Sequence, residues 1–288
     1  MLAAMAGFTI EDAFIKQLSS TISIGQILIV IGFFSSVFFA LLAVTRGRNL
    51  LASSVWTRAT LTRMTAEAVA AMAFTTSLSL VPLSTVAAVF QITPLTITMG
   101  AALFLGERVG WRQWMAIFVG FIGVLLIIRP GFGGFNPSVL WVLVAVLGVA
   151  VRDLVTRVIP PQVESSVISF QAFASLIVAG AICVLVSPQV IVPIAGKELV
   201  FFGCTIVFSI SGYYAVVSAM RVGNASIVAS FRYSRLVFSL LVGVFIFNES
   251  LDTLTLVGSV IIIGSGLYTY LGEQWMATKS SKNGEMIL

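Results

Sequence analysis

Asp12 and Lys16 stand four residues apart in an apolar stretch near the start of the chain, with Glu11 beside them. Residues spaced i,i+4 on a helix share a face, so Asp12 and Lys16 can form an ion pair, as can Asp153 and Arg157. A lone charge at the centre of a bilayer costs roughly 2.5–3.5 kcal/mol on insertion scales, so pairing is expected. Three charges within six residues exceed what one bridge needs. Glu11 or Asp12 is therefore a candidate gate or proton-coupling acid, with Lys16 on the same substrate pathway. Arg152, Asp153 and Arg157 lie near the end of their helix and read as a gate or as a salt bridge that snorkels to the interface.

Arg232 and Arg235 are three residues apart and share a face. Two like charges repel, so each needs an acid or an anionic partner. Glu11 and Asp12 are acids that would tie this helix to the first one. A substrate carboxylate, phosphate or polar ring edge held by the guanidinium fork is the alternative. Gln91 both donates and accepts, which suits an amide or heteroaromatic substrate or a plain interhelical hydrogen bond. Tyr213 and Tyr233 fall deep in apolar segments, where a phenol needs a partner, so both are cavity candidates. Phe231 and Tyr214 extend that aromatic group, although a chain with 22 phenylalanines uses most of them for packing. Glu67, Asn49, Trp56 and Trp275 read as interfacial.

These side chains must be positioned by helices in a membrane. The chain has 288 residues, of which 59% are hydrophobic and 9% charged, with a mean hydropathy of +1.09. Soluble domains carry about 25% charged residues, so this is a multi-pass membrane protein. A span needs about 20 apolar residues. Ten segments qualify, near 1–18, 23–44, 62–81, 83–105, 112–129, 138–158, 165–187, 198–220, 224–247 and 252–272. The first runs straight from Met1 without a basic start or cleavage site, so it is expected to remain as a span. Pro82, Gly106-Glu107-Arg108, Pro130-Gly131, Pro160-Pro161 and Asn248-Glu249 mark the breaks. Pro94, inside the fourth span, removes a backbone hydrogen bond and should bend it.

Two stretches 141 residues apart share a pattern. Gly7 to Lys16 aligns with Gly148 to Arg157, matching a glycine, an aspartate and a cation four residues later. Ser84 to Gln91 aligns with Ala225 to Arg232 at the same offset, which also places Pro94 opposite Arg235. The fold expected is all-α, ten transmembrane helices as two inverted five-helix repeats, residues 1–129 and 138–272, with a cytoplasmic tail at 273–288. An odd number of spans per half forces the copies to insert in opposite directions. With both termini cytoplasmic, the inner side holds Arg46, Arg48, Arg58, Arg63, Arg108, Arg112, Arg152, Arg157, Arg221, Lys279 and Lys282. The outer side then holds only Lys16, Arg129 and Lys197, as the positive-inside bias requires.

Two cysteines, Cys183 and Cys204, sit in apolar segments as packed thiols, and there is no histidine. No phosphate-binding glycine loop, acid-rich motif or nucleophile–base pair is present, so neither an enzyme nor a resident metal or cofactor is expected. The pI near 9.6 comes from loop arginines and implies lipid contact, not nucleic acid. Gly120/Gly123 and Gly264/Gly266 permit close helix approach, within one chain or in a homodimer.

The ten spans, the five-plus-five repeat and the Gly106-Glu107 and Asn248-Glu249 turns resemble the drug/metabolite transporter superfamily, in its EamA-type branch. Gly120-Phe121-Ile122-Gly123 and Gly264-Ser265-Gly266, in the helices after those turns, strengthen that resemblance. It implies a transporter in the bacterial cytoplasmic membrane that moves a small metabolite by alternating access around a central cavity. The opening helix, residues 4–16, is similar to bacterial riboflavin importers of this superfamily, which implies riboflavin uptake. Amino acids, S-adenosylmethionine and export are the alternatives. A non-transporting sensor is remote, because the loops are short.

Overall fold

The computed structural model describes residues 2–50, 52–107, 109–129, 136–160, 162–186, 191–222 and 231–268, without the side chains of 217–222 and 231. Regular structure among them is helical: α1 (Leu2–Leu18), α2 (Ile24–Thr45), α3 (Arg58–Leu80), α4 (Leu83–Phe90), α5 (Thr93–Phe104), α6 (Trp111–Ile128), α7 (Leu140–Val158), α8 (Ser165–Val186), α9 (Lys197–Val222), α10 (Ser234–Phe247) and α11 (Thr253–Tyr268), with short 3₁₀ turns at Ser53–Val55, Pro137–Val139 and Phe231–Tyr233. Residues 224–230, the tail at 273–288, the side chain of Arg221, and Arg108, Pro130 to Gly134, Pro161 and Trp275 lie outside the described residues.

Among the described residues, six helices are long and apolar enough to cross a membrane: α2, α4 and α5 taken as one span (Leu83–Phe104), α6, α7 with its preceding turn, α8 and α9. Helices α10 and α11 are apolar but shorter. A count of ten spans requires adding these two together with α1 and the more polar α3. The expected boundaries agree with the observed ones within a few residues, except at α10, where the described helix begins at Ser234 against an expected 224, and at α3. Helix α3 starts at Arg58 because Thr57 caps it, its hydroxyl accepting from the Thr60 N–H at 3.2 Å. That extra turn moves Arg63 from the second residue of the expected span into the body of the helix.

The fourth span is broken. α4 stops at Phe90, and α5 begins at Thr93 with Pro94 in its first turn, where the missing N–H does no harm. The break leaves Gln91 and Ile92 between two short helices. Over its 22 residues the span reaches about 33 Å end to end.

The two halves of the chain interdigitate. The closest pairings are α2 with α8, α3 with α7, and α1 with α9, each joining one half to the other. Glycine makes the first pairing possible. A Cβ on Gly180 would lie 2.5 Å from the Gly25 carbonyl oxygen, and one on Gly32 would lie 2.8 Å from that of Phe173. Likewise a Cβ on Gly123 would meet the Gly258 carbonyl oxygen at 2.9 Å, so that glycine packs α6 on α11 within one chain.

The turns after α5 and α10 have one geometry. Gly106 (φ 68°) and Asn248 (φ 50°) are both left-handed. The N–H of the following glutamate reaches back six residues in each case, Glu107 to the Ala101 carbonyl at 3.2 Å and Glu249 to the Gly243 carbonyl at 2.9 Å. In both, a left-handed residue and one long backbone hydrogen bond close the helix C-terminus. Glu249 contacts Leu83, at the start of the broken span, and Glu107 follows its end. The two equivalent turns thus lie at opposite ends of the bundle.

Candidate functional site

A cavity of about 370 Å³ lies among α1, α3, the α4–α5 break, α7, α9 and the start of α10, with apolar contributions from α2 and α8. Four guanidinium groups line it, from Arg63, Arg152, Arg232 and Arg235. Four carboxylates do so too, from Glu11, Asp12, Glu67 and Asp153. Phe8, Phe74, Phe90, Phe173, Tyr213 and Gln91 form much of the remaining wall.

At the α1 wall, Arg235 grips Asp12. Its Nη2 donates to both carboxylate oxygens, at 2.6 and 2.8 Å, and Nε donates at 3.2 Å. The Phe8, Phe74 and Phe90 rings surround the guanidinium carbon at 5.3 to 5.7 Å, a cation–π setting. The sequence expectation that an acid of the first helix serves Arg235 is met by Asp12, not by the neighbouring Glu11. Glu11 forms no ion pair among the described residues; Ser209 hydrogen-bonds it.

A second network occupies the α3–α7 wall. Arg152 donates to Asp153 at 2.8 Å and to Glu67 at 3.0 Å. Arg63, only 4% exposed, donates to the Thr156 hydroxyl at 3.0 Å and to the Tyr213 hydroxyl at 3.1 Å. Its Nη2 also sits 3.5 Å from Glu67, and its Nη1 has no hydrogen-bond partner. Arg232 reaches Asp153 at only 3.6 Å and keeps 30% of its side chain exposed. Its carbonyl accepts from the Gln91 amide at 3.3 Å, which places Gln91 across the break from the start of α10.

Several sequence expectations are redirected. Asp12 and Lys16 do not pair with each other, nor Asp153 with Arg157. Asp12 pairs instead with Arg235 on α10, and Asp153 with its own neighbour Arg152 on α7. Lys16 stands outside the cavity, donating to the Leu78 and Val81 carbonyls at 3.1 and 2.7 Å, with Glu249 at 3.9 Å. Arg157 pairs with Glu107 at 2.7 Å at the opposite end, both half exposed. Tyr233 is 7% exposed and is absent from the cavity wall. It packs where a Cβ on residue 266 would collide with its hydroxyl, which has no partner. Tyr213 does face the cavity, in a cluster with Phe39 and Phe173. Arg63 and Glu67, read from sequence as a loop cation and an interfacial acid, belong to the cavity wall. So do Thr156 and Ser209. Their i,i+4 spacing within α3 was the available sign for the first two.

A bundle of apolar helices around a cavity with opposed buried charges, crossed by a broken span, defines a membrane transporter. The chain belongs to the EamA-like transporter family, whose model matches residues 1–129 and 136–271. Over 204 residues it is 31% identical to an S-adenosylmethionine uptake transporter of Rickettsia felis, covering 70% of this chain and 67% of that one. Over 273 residues it is 28% identical to the pseudopaline exporter CntI of Pseudomonas aeruginosa, covering 91% and 92%. A riboflavin transporter of Vibrio cholerae is 26% identical over 196 residues, covering 68% and 64%. One solved crystal structure shares the fold, with a TM-score of 0.64 at 17% identity, over 95% of this chain and 98% of the other.

Proposed function

We propose that the chain is a secondary transporter which moves an amphoteric metabolite across the bacterial cytoplasmic membrane by alternating access. The observation that carries the substrate class is the incomplete charge pairing in the cavity. Asp12 pairs with Arg235, Asp153 with Arg152, and Glu67 with Arg152 and, at 3.5 Å, Arg63. That leaves Glu11 without an ion pair among the described residues and Arg232 at 3.6 Å from its acid. Charges held out of water seek counter-charges. A substrate with a carboxylate for Arg232 and a cationic group for Glu11 supplies both. S-adenosylmethionine, the substrate in the Rickettsia relative's name, has that character, and its similarity to this chain supports the reading.

Proteoliposomes loaded with labelled S-adenosylmethionine on one side provide the test. Flux above empty liposomes is expected. Glu11→Gln and Arg232→Gln should each lower it about tenfold or more, the effect of losing one charge-assisted contact. Flux unchanged in both variants would overturn the site assignment.

Riboflavin uptake is the second reading. The Phe173 and Tyr213 rings and the Gln91 amide, all on the cavity wall, favour a flat heterocycle, and the Vibrio cholerae relative supports it. Growth of a riboflavin-auxotrophic host on low external riboflavin, dependent on this chain, would put it first.

A further inference from the structure

Glu249 is used more heavily than its position in a loop suggests. Its side chain is 8% exposed. Oε1 accepts from the Leu83 N–H at 2.6 Å. Oε2 accepts from the Ser84 N–H at 2.9 Å and from the Ser84 hydroxyl at 2.6 Å. A carboxylate here caps the eight-residue helix α4, satisfying donors that begin a helix with no intrahelical partner. Lys16 lies alongside, 3.9 Å from Oε1, and crosses to the end of α3 through the Leu78 and Val81 carbonyls. Gly243 makes the room: a Cβ there would stand 2.6 Å from Oε2. One carboxylate thereby joins the α10–α11 turn, α1, and the α3–α4 junction, at one end of the broken span.

The repeat carries a similar acid and cation at the other end. Glu107 occupies the same position of the equivalent left-handed turn, and Arg157 corresponds to Lys16 at the 141-residue offset. There, among the described residues, the acid and cation pair with each other at 2.7 Å, with 51% and 49% of their side chains exposed. The acid and cation recur at both ends, but only Glu249 is enclosed; Ala225 and Ala101 stand in the repeat where Ser84 and Gly243 serve it.

We propose that Glu249 is a latch which closes the transport pathway at its end, and that Glu107 is its released counterpart. In the opposite access state Glu249 leaves the start of α4 while Glu107 becomes buried. This rests on the alternating-access reading. Its test therefore reads conformation without a substrate.

In a background free of Cys183 and Cys204, Thr75→Cys places a single thiol in the cavity wall. An impermeant maleimide is applied to the purified protein in right-side-out and in inverted vesicles. In the parent, labelling is expected from the Glu107 end alone. Glu249→Gln should admit reagent from the Glu249 end, raising the rate there about tenfold through loss of a charge-assisted cap. Ser84→Ala keeps the carboxylate and removes one contact of three. It should give a smaller rise in the same direction, and it answers the objection that Glu249→Gln has unfolded the turn. Glu107→Gln should leave the Glu249 end unlabelled. Unchanged labelling in both Glu249→Gln and Ser84→Ala would reduce Glu249 to a static cap and overturn the latch. Normal labelling responses in a chain that shows no flux of any substrate would instead sink the transporter reading alone.

Discussion

Arg235 is held on four sides, by both oxygens of Asp12 and by three phenylalanine rings. Asp12→Asn would leave that guanidinium in apolar surroundings without its counter-charge, at a cost of about 3–5 kcal/mol. A marked fall in the midpoint of thermal unfolding in detergent is the expected outcome. Asp12→Asn combined with Arg235→Gln should recover part of the loss, because the stranded charge is gone. If the double variant is as unstable as the sum of the singles, the pair is not coupled. The bond itself was half legible in the sequence. Two arginines on one face demanded acids, and the first helix had them, but choosing Asp12 over Glu11 required a rotation about the helix axis that no spacing encodes. Arg63 and Glu67 were missed for a different reason: hydropathy started their helix four residues late and so left them at its edge.

At the scale of the element, close glycine contacts set how near helices approach. Gly180→Ala would force α8 away from α2, since the added carbon would meet the Gly25 carbonyl at 2.5 Å. A destabilisation of about 1–3 kcal/mol is expected for such overpacking. Unfolding of the purified variant checks it, and an unchanged midpoint would show that the two helices can part freely. A loop clamp sits at the end of the same helix pair. Arg46 Nη1 and Arg48 Nε donate to the two oxygens of Glu164 at 3.1 and 2.5 Å. Burial alone would raise the Glu164 carboxyl, but the two arginines outweigh it and hold it below the usual carboxylate range. A depressed folded value means the clamp contributes above the unfolded value, near 4.3, and is lost as pH falls through the lowered one. Glu164→Gln should accordingly show less loss of stability than the parent between about pH 5 and pH 3. The positions of the helices were legible because apolar length and Gly/Pro punctuation fix them. The break at Gln91 was legible only as a bend, since Pro94 announced a lost hydrogen bond without saying that the helix would restart.

For the molecule as a whole, the distribution of Arg and Lys predicts both termini in the cytoplasm. A fluorescent protein fused at either end should therefore glow in intact cells, and alkaline phosphatase fused there should stay inactive. The reverse pattern would invert the assignment of ends and leave the latch intact. Duplication was legible in the offset of 141 residues. What the offset could not show is that the copies are woven together: α1, α2 and α3 find their closest neighbours in α9, α8 and α7.

That weave bears on how the protein is made. While the ribosome is still reading the second half, the first half already sits at the translocon with Asp12 and Glu67 lacking Arg235 and Arg152. Newly inserted helices must wait there, with charges bared to lipid, until their complements emerge. A chain truncated after residue 129 should be captured by membrane quality control and degraded within minutes, and co-synthesis of residues 136–288 as a separate polypeptide should rescue it.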